Sequence, residues 1–337
     1  MSYGQKLLRR VLLYGTAAVA GGVLAGAWIV IESKQPVLNA TPPTSTVLAL
    51  EATPFPIGVD PRNATMTEQA LVEEFYTEFL ASANTTNNSW LTKIAAVLQT
   101  NQIYQQLASP VGRTIVVWPG ERTEQVVNNT GDVLRWDGAQ RAEFAQLMQD
   151  NSFGWEQGFV PPGKYLTHRS ASPNDIAQLF KTKFQATIKD RYTDDVADLV
   201  TLDETMIIAS LIEREARDFE NMREISGVIW NRLFIDMPLQ LDASLQYAKA
   251  NNPYEDNWWP AVRPEDKFID SPFNTYQNKG LPPEPIANPS VDAIVATLNP
   301  RVTDCIYYFH SATREYYCSV TYEDHVSKLR EVYGLDE

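Results

Sequence analysis

From Val11 to Ile31 the chain reads VLLYGTAAVAGGVLAGAWIVI, without one charged residue. An apolar run of about 20 residues is long enough to cross a hydrocarbon core as a helix. Such a segment belongs in lipid, so whatever core the chain builds must come from the residues after it. Lys6, Arg9 and Arg10 precede the run, and Glu32, Ser33 and Lys34 follow it. This basic excess predicts a single-pass anchor over 11–31 in the cytoplasmic membrane, with residues 1–10 in the cytoplasm and the rest outside. A cleaved signal peptide is the alternative, but the run is long for one and no small-residue cleavage pattern closes it. Residues 32–65 carry Pro36, Pro42, Pro43, Pro54, Pro56 and Pro61, and read as a linker or an extended wrap.

The remaining chain has enough apolar content for a real core, since the whole is 44% hydrophobic and 21% charged. A formal net charge of −14 argues against a nucleic-acid partner, because an acidic chain is a poor candidate for binding phosphate backbones through counterion release. Cys305 and Cys318 form no CxxC pair, and His168, His310 and His325 are scattered, so no metal site is expected. Both cysteines fall in a predicted hairpin. A hairpin alone does not bring two Cβ atoms into bonding range, so a disulfide and two thiols both remain open.

Residues 66–83 place Leu71, Phe75, Phe79 and Leu80 at helical spacing, and Trp90 to Leu107 repeats the pattern after a break at 84–89. A helical hairpin is expected over 66–110. Next, RTIVVW at 113–118 is a strand by its β-branched content, followed by a Pro119–Gly120 turn and a helix from Glu121. Strand, turn and helix resemble the opening of a LysM-like unit, expected over 111–190. Phe159 to Tyr165 marks another turn into a strand, and residues 174–188 form an amphipathic helix capped by Ser172 or Asn174.

The chemistry concentrates after residue 190. LDETMIIASLIEREARDFE, from Leu202 to Glu220, reads as one helix with an acidic first turn. It contains Glu213 and Glu215, which two-residue spacing keeps on different faces. With Ile208 set to zero and 100° per residue, Leu211 lies at about 300°, Ile212 at about 40°, Phe219 at about 20° and Glu215 at about 340°. Glu213 falls on the far side at about 140°. Glu215 therefore sits in the apolar stripe. Desolvation there disfavours its anion, as a general acid working at neutral pH requires. The bland alternative is a buried glutamate paired with an arginine such as Arg232.

A helix with Val228, Ile229 and Leu233 carries Asn231 and Arg232, and Met237 to Tyr247 offers Gln240 and Asp242. The loop FNTYQNKGLPPEPIANPS, Phe273 to Ser290, is stiffened by proline and presents Asn274, Thr275, Tyr276 and Asn288. Amides and a tyrosine suit hydroxyl-rich, acetamido-bearing sugars. Trp258 and Trp259 either stack on sugar faces or pack internally.

Taken in order, LIEREA, SGVIWNRLFIDMPLQLDAS, NTY, GLPPEPIANPS, LNP, IYYF and EDH resemble the catalytic domain of the MltG/YceG-like endolytic murein transglycosylases. The likeness is close over the last 140 or so residues and looser over 113–190. It implies an α+β architecture, with a LysM-like α+β subdomain followed by a catalytic α+β domain over 191–337. It implies Glu215 as the catalytic acid, Glu213 in support, and Asn231, Arg232, Gln240, Asp242, Asn274, Thr275, Tyr276 and Asn288 lining or shaping the cleft. It implies cleavage of the MurNAc–GlcNAc bond of peptidoglycan strands with 1,6-anhydro ends, no cofactor, and penicillin-binding proteins as partners. The alternatives are a non-enzymatic, membrane-anchored glycan-binding scaffold and a water-using hydrolase with Asp242 as base. Some positions depart from the family pattern. Ala216 replaces a threonine, Ala243 replaces a proline, and Arg314, Glu315 and Tyr316 stand where the family has GGH, while His325 matches.

Overall fold

The computed structural model describes residues 53–69, 72, 75, 112–150 and 154–334. The charge-free run at 11–31 lies outside them, as does most of the helical hairpin expected over 66–110. Val72 and Phe75, from that hairpin, are helical and buried. Among the described residues no helix is long and apolar enough to cross a membrane.

The architecture is α+β, with two-stranded sheets beside helices. In chain order the elements are β1 (Val59–Asp60), β2 (Thr65–Met66), β3 (Gly112–Val117), α1 (Thr123–Leu134), α2 (Gly138–Gln149), β4 (Gly163–His168), α3 (Pro173–Thr187), α4 (Asp194–Ala197), α5 (Leu202–Glu215), α6 (Phe219–Phe234), α7 (Asp242–Ala250), α8 (Val291–Leu298), β5 (Tyr307–His310), β6 (Tyr316–Ser319) and α9 (Tyr322–Tyr333). β1 pairs with β2, β3 with β4 and β5 with β6. The chain groups into two compact units. The described part of one is 112–115 and Tyr165–Ala171, the ends of β3 and β4. The other holds Val116–Lys164, Ser172–Glu337 and the described residues of Glu51–Ser82, and it contains the functional site.

Side-chain caps set the helix starts. Ser172 caps α3, accepting from Asp175 N at 3.2 Å, with Pro173 at the first helical position where its missing N–H costs nothing. Thr201 and Glu204 cap α5 reciprocally, at 3.0 and 3.2 Å. α5, α6 and α8 pack on one another and make the core of the larger unit. α5 is buried around its circumference from Thr205 to Ile212, against Ile225, Val228 and Ile229 of α6 and Ile294, Val295 and Leu298 of α8. Trp230 satisfies its indole N–H on the Thr297 carbonyl at 2.9 Å. Gly227 lets the chain after α8 cross α6 closely, since a Cβ there would stand 2.4 Å from the Arg301 carbonyl oxygen.

The helix expected to run unbroken from Leu202 to Glu220 is two helices. α5 ends at Glu215, Ala216 is extended at φ −89° and ψ 160°, and Asp218 starts α6 by accepting from Asn221 N at 3.0 Å. Asp218 reads in sequence as one more acidic helical residue, but its short carboxylate offers the next helix a cap.

The described part of the amino-terminal proline stretch, residues 53–65, packs through apolar side chains and main-chain hydrogen bonds. Phe55 and Val59 are buried, Gly58 N donates to the Leu298 carbonyl at 2.8 Å, and Asn299 Nδ2 donates to the Pro56 carbonyl at 2.6 Å.

Candidate functional site

Glu215 is the last residue of α5, where the helix stops and the chain turns away. Its carboxyl lies between the start of α7 and strand β5. Ala243 N, in the first turn of α7, donates to Oε1 at 3.0 Å, and the Tyr308 hydroxyl donates to Oε2 at 3.3 Å. The residue keeps part of its surface open to solvent while its carboxyl is closely enclosed. Desolvation pushes its pKa up, and the nearby Asp242 carboxylate adds to this. The donors Ala243 and Tyr308, with the Arg214 charge, pull the other way.

No ion pair joins Glu215 to a cation among the described residues. Arg232, the partner considered from sequence, turns instead to main-chain oxygens. Its Nε donates to the Ile306 carbonyl at 2.6 Å and its Nη1 to the Leu239 carbonyl. It thereby ties the approach to β5 to the loop before α7, the two segments that carry the partners of Glu215. Asn231 reinforces the first of these, donating to the Thr303 and Cys305 carbonyls at 2.7 and 3.0 Å.

Asp242 opens α7 and accepts from the Tyr276 hydroxyl at 2.7 Å. Asp242, Tyr276, Tyr308 and Glu215 thus form one cluster drawn from separate parts of the chain. Thr275 is buried and takes Leu241 N on its Oγ1 at 3.0 Å, while its carbonyl accepts from Gln240 N at 3.0 Å. Gln240 has φ +50° and an exposed side chain beside the cluster. Asn274 is fully buried, and its amide donates to the Lys267 and Ile269 carbonyls at 3.1 and 2.8 Å while accepting from Tyr276 N at 3.0 Å. It shapes the loop that delivers Tyr276.

Glu213 faces another corner. Placed on the far side of the apolar stripe, it is nonetheless desolvated, because α5 is buried around most of its girth. Its Oε2 accepts from Ser290 N at 2.8 Å and from Ser290 Oγ at 2.5 Å. Ser290 is the cap of α8, so Glu213 fixes where that helix begins. Asn288 is buried just before it and uses both its backbone and its side chain. It accepts from Gly120 N and Val160 N and donates from its own N and Nδ2 to the Glu121 carbonyl, each at 2.9 Å. Gly120, at φ +75°, is where the Arg214 side chain passes, 3.0 Å from where a Cβ would stand. The Arg214 guanidinium lies 3.9 Å from the Trp259 ring centroid, and Arg122 lies 5.4 Å from Trp258. Both tryptophans are half-buried under arginines.

Tyr308 is the member of the cluster that sequence reasoning does not single out. The IYYF strand is visible there, but which of its rings meets a carboxyl 93 residues earlier is not. Strand alternation does put Tyr308 and His310 on one face. There they meet Tyr316 at 6.0 and 5.7 Å between ring centroids. The question left open at the hairpin is answered too: Cys305 and Cys318 form a disulfide, Cα–Cα 5.7 Å, with Cys318 directly opposite Tyr308 in the antiparallel register.

These features define an α+β fold with a desolvated carboxyl at a helix end, held by a main-chain N–H and a phenol. The same fold occurs in a solved yceG-like protein of Listeria monocytogenes, at a TM-score of 0.55 and 22% identity, covering 77% of this chain and 90% of that one. The YceG-like family model matches residues 63–331, and the chain belongs to that family. It is 31% identical over 176 residues to an endolytic murein transglycosylase of Streptococcus pneumoniae, covering 52% of this chain and 32% of that protein. A second one, from Bacillus subtilis, is 31% identical over 178 residues, covering 52% of this chain and 48% of its own length. The matched stretch therefore spans 32% of the first relative and 48% of the second, less than half of either.

Proposed function

We propose that this chain is an endolytic lytic transglycosylase that cleaves the MurNAc–GlcNAc bond of nascent peptidoglycan strands and leaves 1,6-anhydro-MurNAc ends. The observation that carries the reading is Glu215, desolvated, at the end of α5, with a main-chain N–H and a phenol as its donors and no ion pair to a cation among the described residues. A carboxyl in that setting holds its proton to higher pH than an exposed glutamate does, as an acid catalyst requires. It gives its proton to the glycosidic oxygen as the C1–O bond breaks. The substrate's own acetamido group stabilises the positive charge at the anomeric carbon. Glu215, now a carboxylate, takes the proton of the muramyl C6 hydroxyl while that oxygen bonds to C1. One carboxyl serves twice, and no water is consumed. Gln240 and Tyr276, beside the cluster, orient the sugars.

On this reading residues 11–31 anchor the chain in the cytoplasmic membrane, the unit at 111–190 is LysM-like and holds glycan, and the enzyme works beside penicillin-binding proteins to release strands. The charge-free run and its basic flank support the first, the strand–turn–helix order supports the second, and the family resemblance alone supports the third. The test is mass spectrometry of uncrosslinked nascent peptidoglycan incubated with the protein and with its Glu215→Gln variant. Anhydro ends from the first and none from the second are expected. Reducing ends would make it a hydrolase. No cleavage by either, with glycan binding kept, would make it a scaffold.

A further inference from the structure

The two oxygens of Glu215 have unlike neighbours, and the difference assigns the proton. Oε1 faces the Ala243 main-chain N–H at 3.0 Å, a group that can only donate. A neutral carboxyl accepts such a bond on its carbonyl oxygen. Its hydroxyl oxygen is the poorer acceptor, because its lone pair is drawn into the C=O. Oε2 faces the Tyr308 hydroxyl at 3.3 Å, which can donate to a carboxylate or accept from an acid by turning one O–H bond. We infer that Oε2 of Glu215 is the atom that gives up and recovers the proton, and that Tyr308 is its positioning residue. This inference rests on the catalytic reading of Glu215 proposed above.

The proton account closes. Oε2–H goes to the glycosidic oxygen, and the C6 hydroxyl proton returns to Oε2. Tyr308 keeps its own proton, accepting from Oε2–H before the transfer and donating to Oε2 after it. The Ala243 N–H holds the orientation throughout. Proline, which the family resemblance leads one to expect at this position, has no N–H to give, so the restraint on Oε1 depends on the alanine that stands here. The charged and titratable groups facing Glu215 are Arg214 on its own helix, Asp242 from α7, Arg232 from α6, Tyr276 from the loop and Tyr308 from β5. None of the others bonds Oε2 among the described residues.

The test needs no substrate at first. Infrared difference spectra of the whole protein against Glu215→Gln isolate the neutral-carboxyl C=O band of Glu215, and its intensity against pH gives the titration. Ala243→Pro should move that band to higher frequency, because the carbonyl loses its donor. Tyr308→Phe should leave the band in place and move the titration to higher pH, because the anion loses its donor. A ring-fluorinated tyrosine at position 308 keeps the ring's bulk, donates more strongly and should move the titration lower. In turnover the alkaline limb of kcat/KM should follow the same two shifts, and Tyr308→Phe should lower the plateau about tenfold, the worth of one hydrogen bond to a charge. A band that moves with Tyr308→Phe and not with Ala243→Pro puts the proton on Oε1 and overturns the assignment. Titrations unmoved by both changes at position 308 remove Tyr308 from the role. If the infrared shifts occur but no anhydro product forms, the proton assignment stands and the catalytic reading fails.

Discussion

Glu213 and Glu215 lie two residues apart on one helix, both are desolvated, and both have pKa values pushed up, yet their corners differ. At Glu213 one oxygen takes the backbone N–H and the hydroxyl of Ser290, and the carboxyl joins a helix cap. At Glu215 each oxygen takes one donor, from two separate elements. Burial alone therefore does not mark an acid. What separates the two is whether the carboxyl is spent on holding a helix cap or divided between donors from two elements.

The comparison breaks most sharply at Glu215→Gln. That variant should fold as the parent does and lose about a thousandfold in the rate of anhydro-end formation, within the usual worth of a general acid. Glycan turnover surviving in it would return the choice to Glu213. Next comes the hairpin that carries Tyr308. Opening the Cys305–Cys318 disulfide, which spans 13 residues, should cost about 3 kcal/mol in urea unfolding with and without reductant. It should also shift the pH profile, because it loosens only the Glu215 corner. Glu213→Ala should cost about 2 kcal/mol, for the Ser290 groups left without an acceptor, while the folded protein keeps its pH profile. A changed profile there would mean that the two corners are coupled.

The smallest effect is on stability against pH. Because the folded-state pKa of Glu215 is raised, the folded protein holds that proton more tightly than the unfolded chain. Its contribution is complete below the ordinary value of 4.5 and is lost as pH rises through the folded value. A glutamine in its place does not titrate. The Glu215→Gln protein should therefore gain on the parent in thermal midpoint as pH climbs above that ordinary value, and lose the advantage below it.

The place of Glu215 is legible in the sequence by period, since one angle per residue puts this carboxyl in line with Leu211 and Ile212; the burial of α5 on every side, which desolvates Glu213 as well, has no such signal. The break after Glu215 is not legible. Phe219 continues the stripe in phase, and only the capping geometry of Asp218 shows that a new helix has begun. The loop's density in Asn and Pro points to the right segment. Within it Asn274 turns inward onto carbonyls five and seven residues back, whereas Tyr276 reaching Asp242 and Asn288 reaching Val160 and Glu121 depend on partners 34 to 167 residues away. Tyr308 escapes the sequence for the same reason. No local pattern says which ring of an aromatic strand will face which helix end.

Asn288 has a consequence for how the molecule ages. Asparagine degrades when the following peptide nitrogen attacks the side-chain amide and closes a five-membered imide, which later opens to aspartate or isoaspartate. The residue after Asn288 is Pro289, whose nitrogen has no hydrogen to lose and cannot close that ring. The side chain that joins the Glu121 and Val160 segments is thus shielded from the commonest spontaneous damage to its residue type. Asn278, exposed and followed by Lys279, carries no such protection, and isoaspartate in a long-stored sample should be found there before it is found at 288.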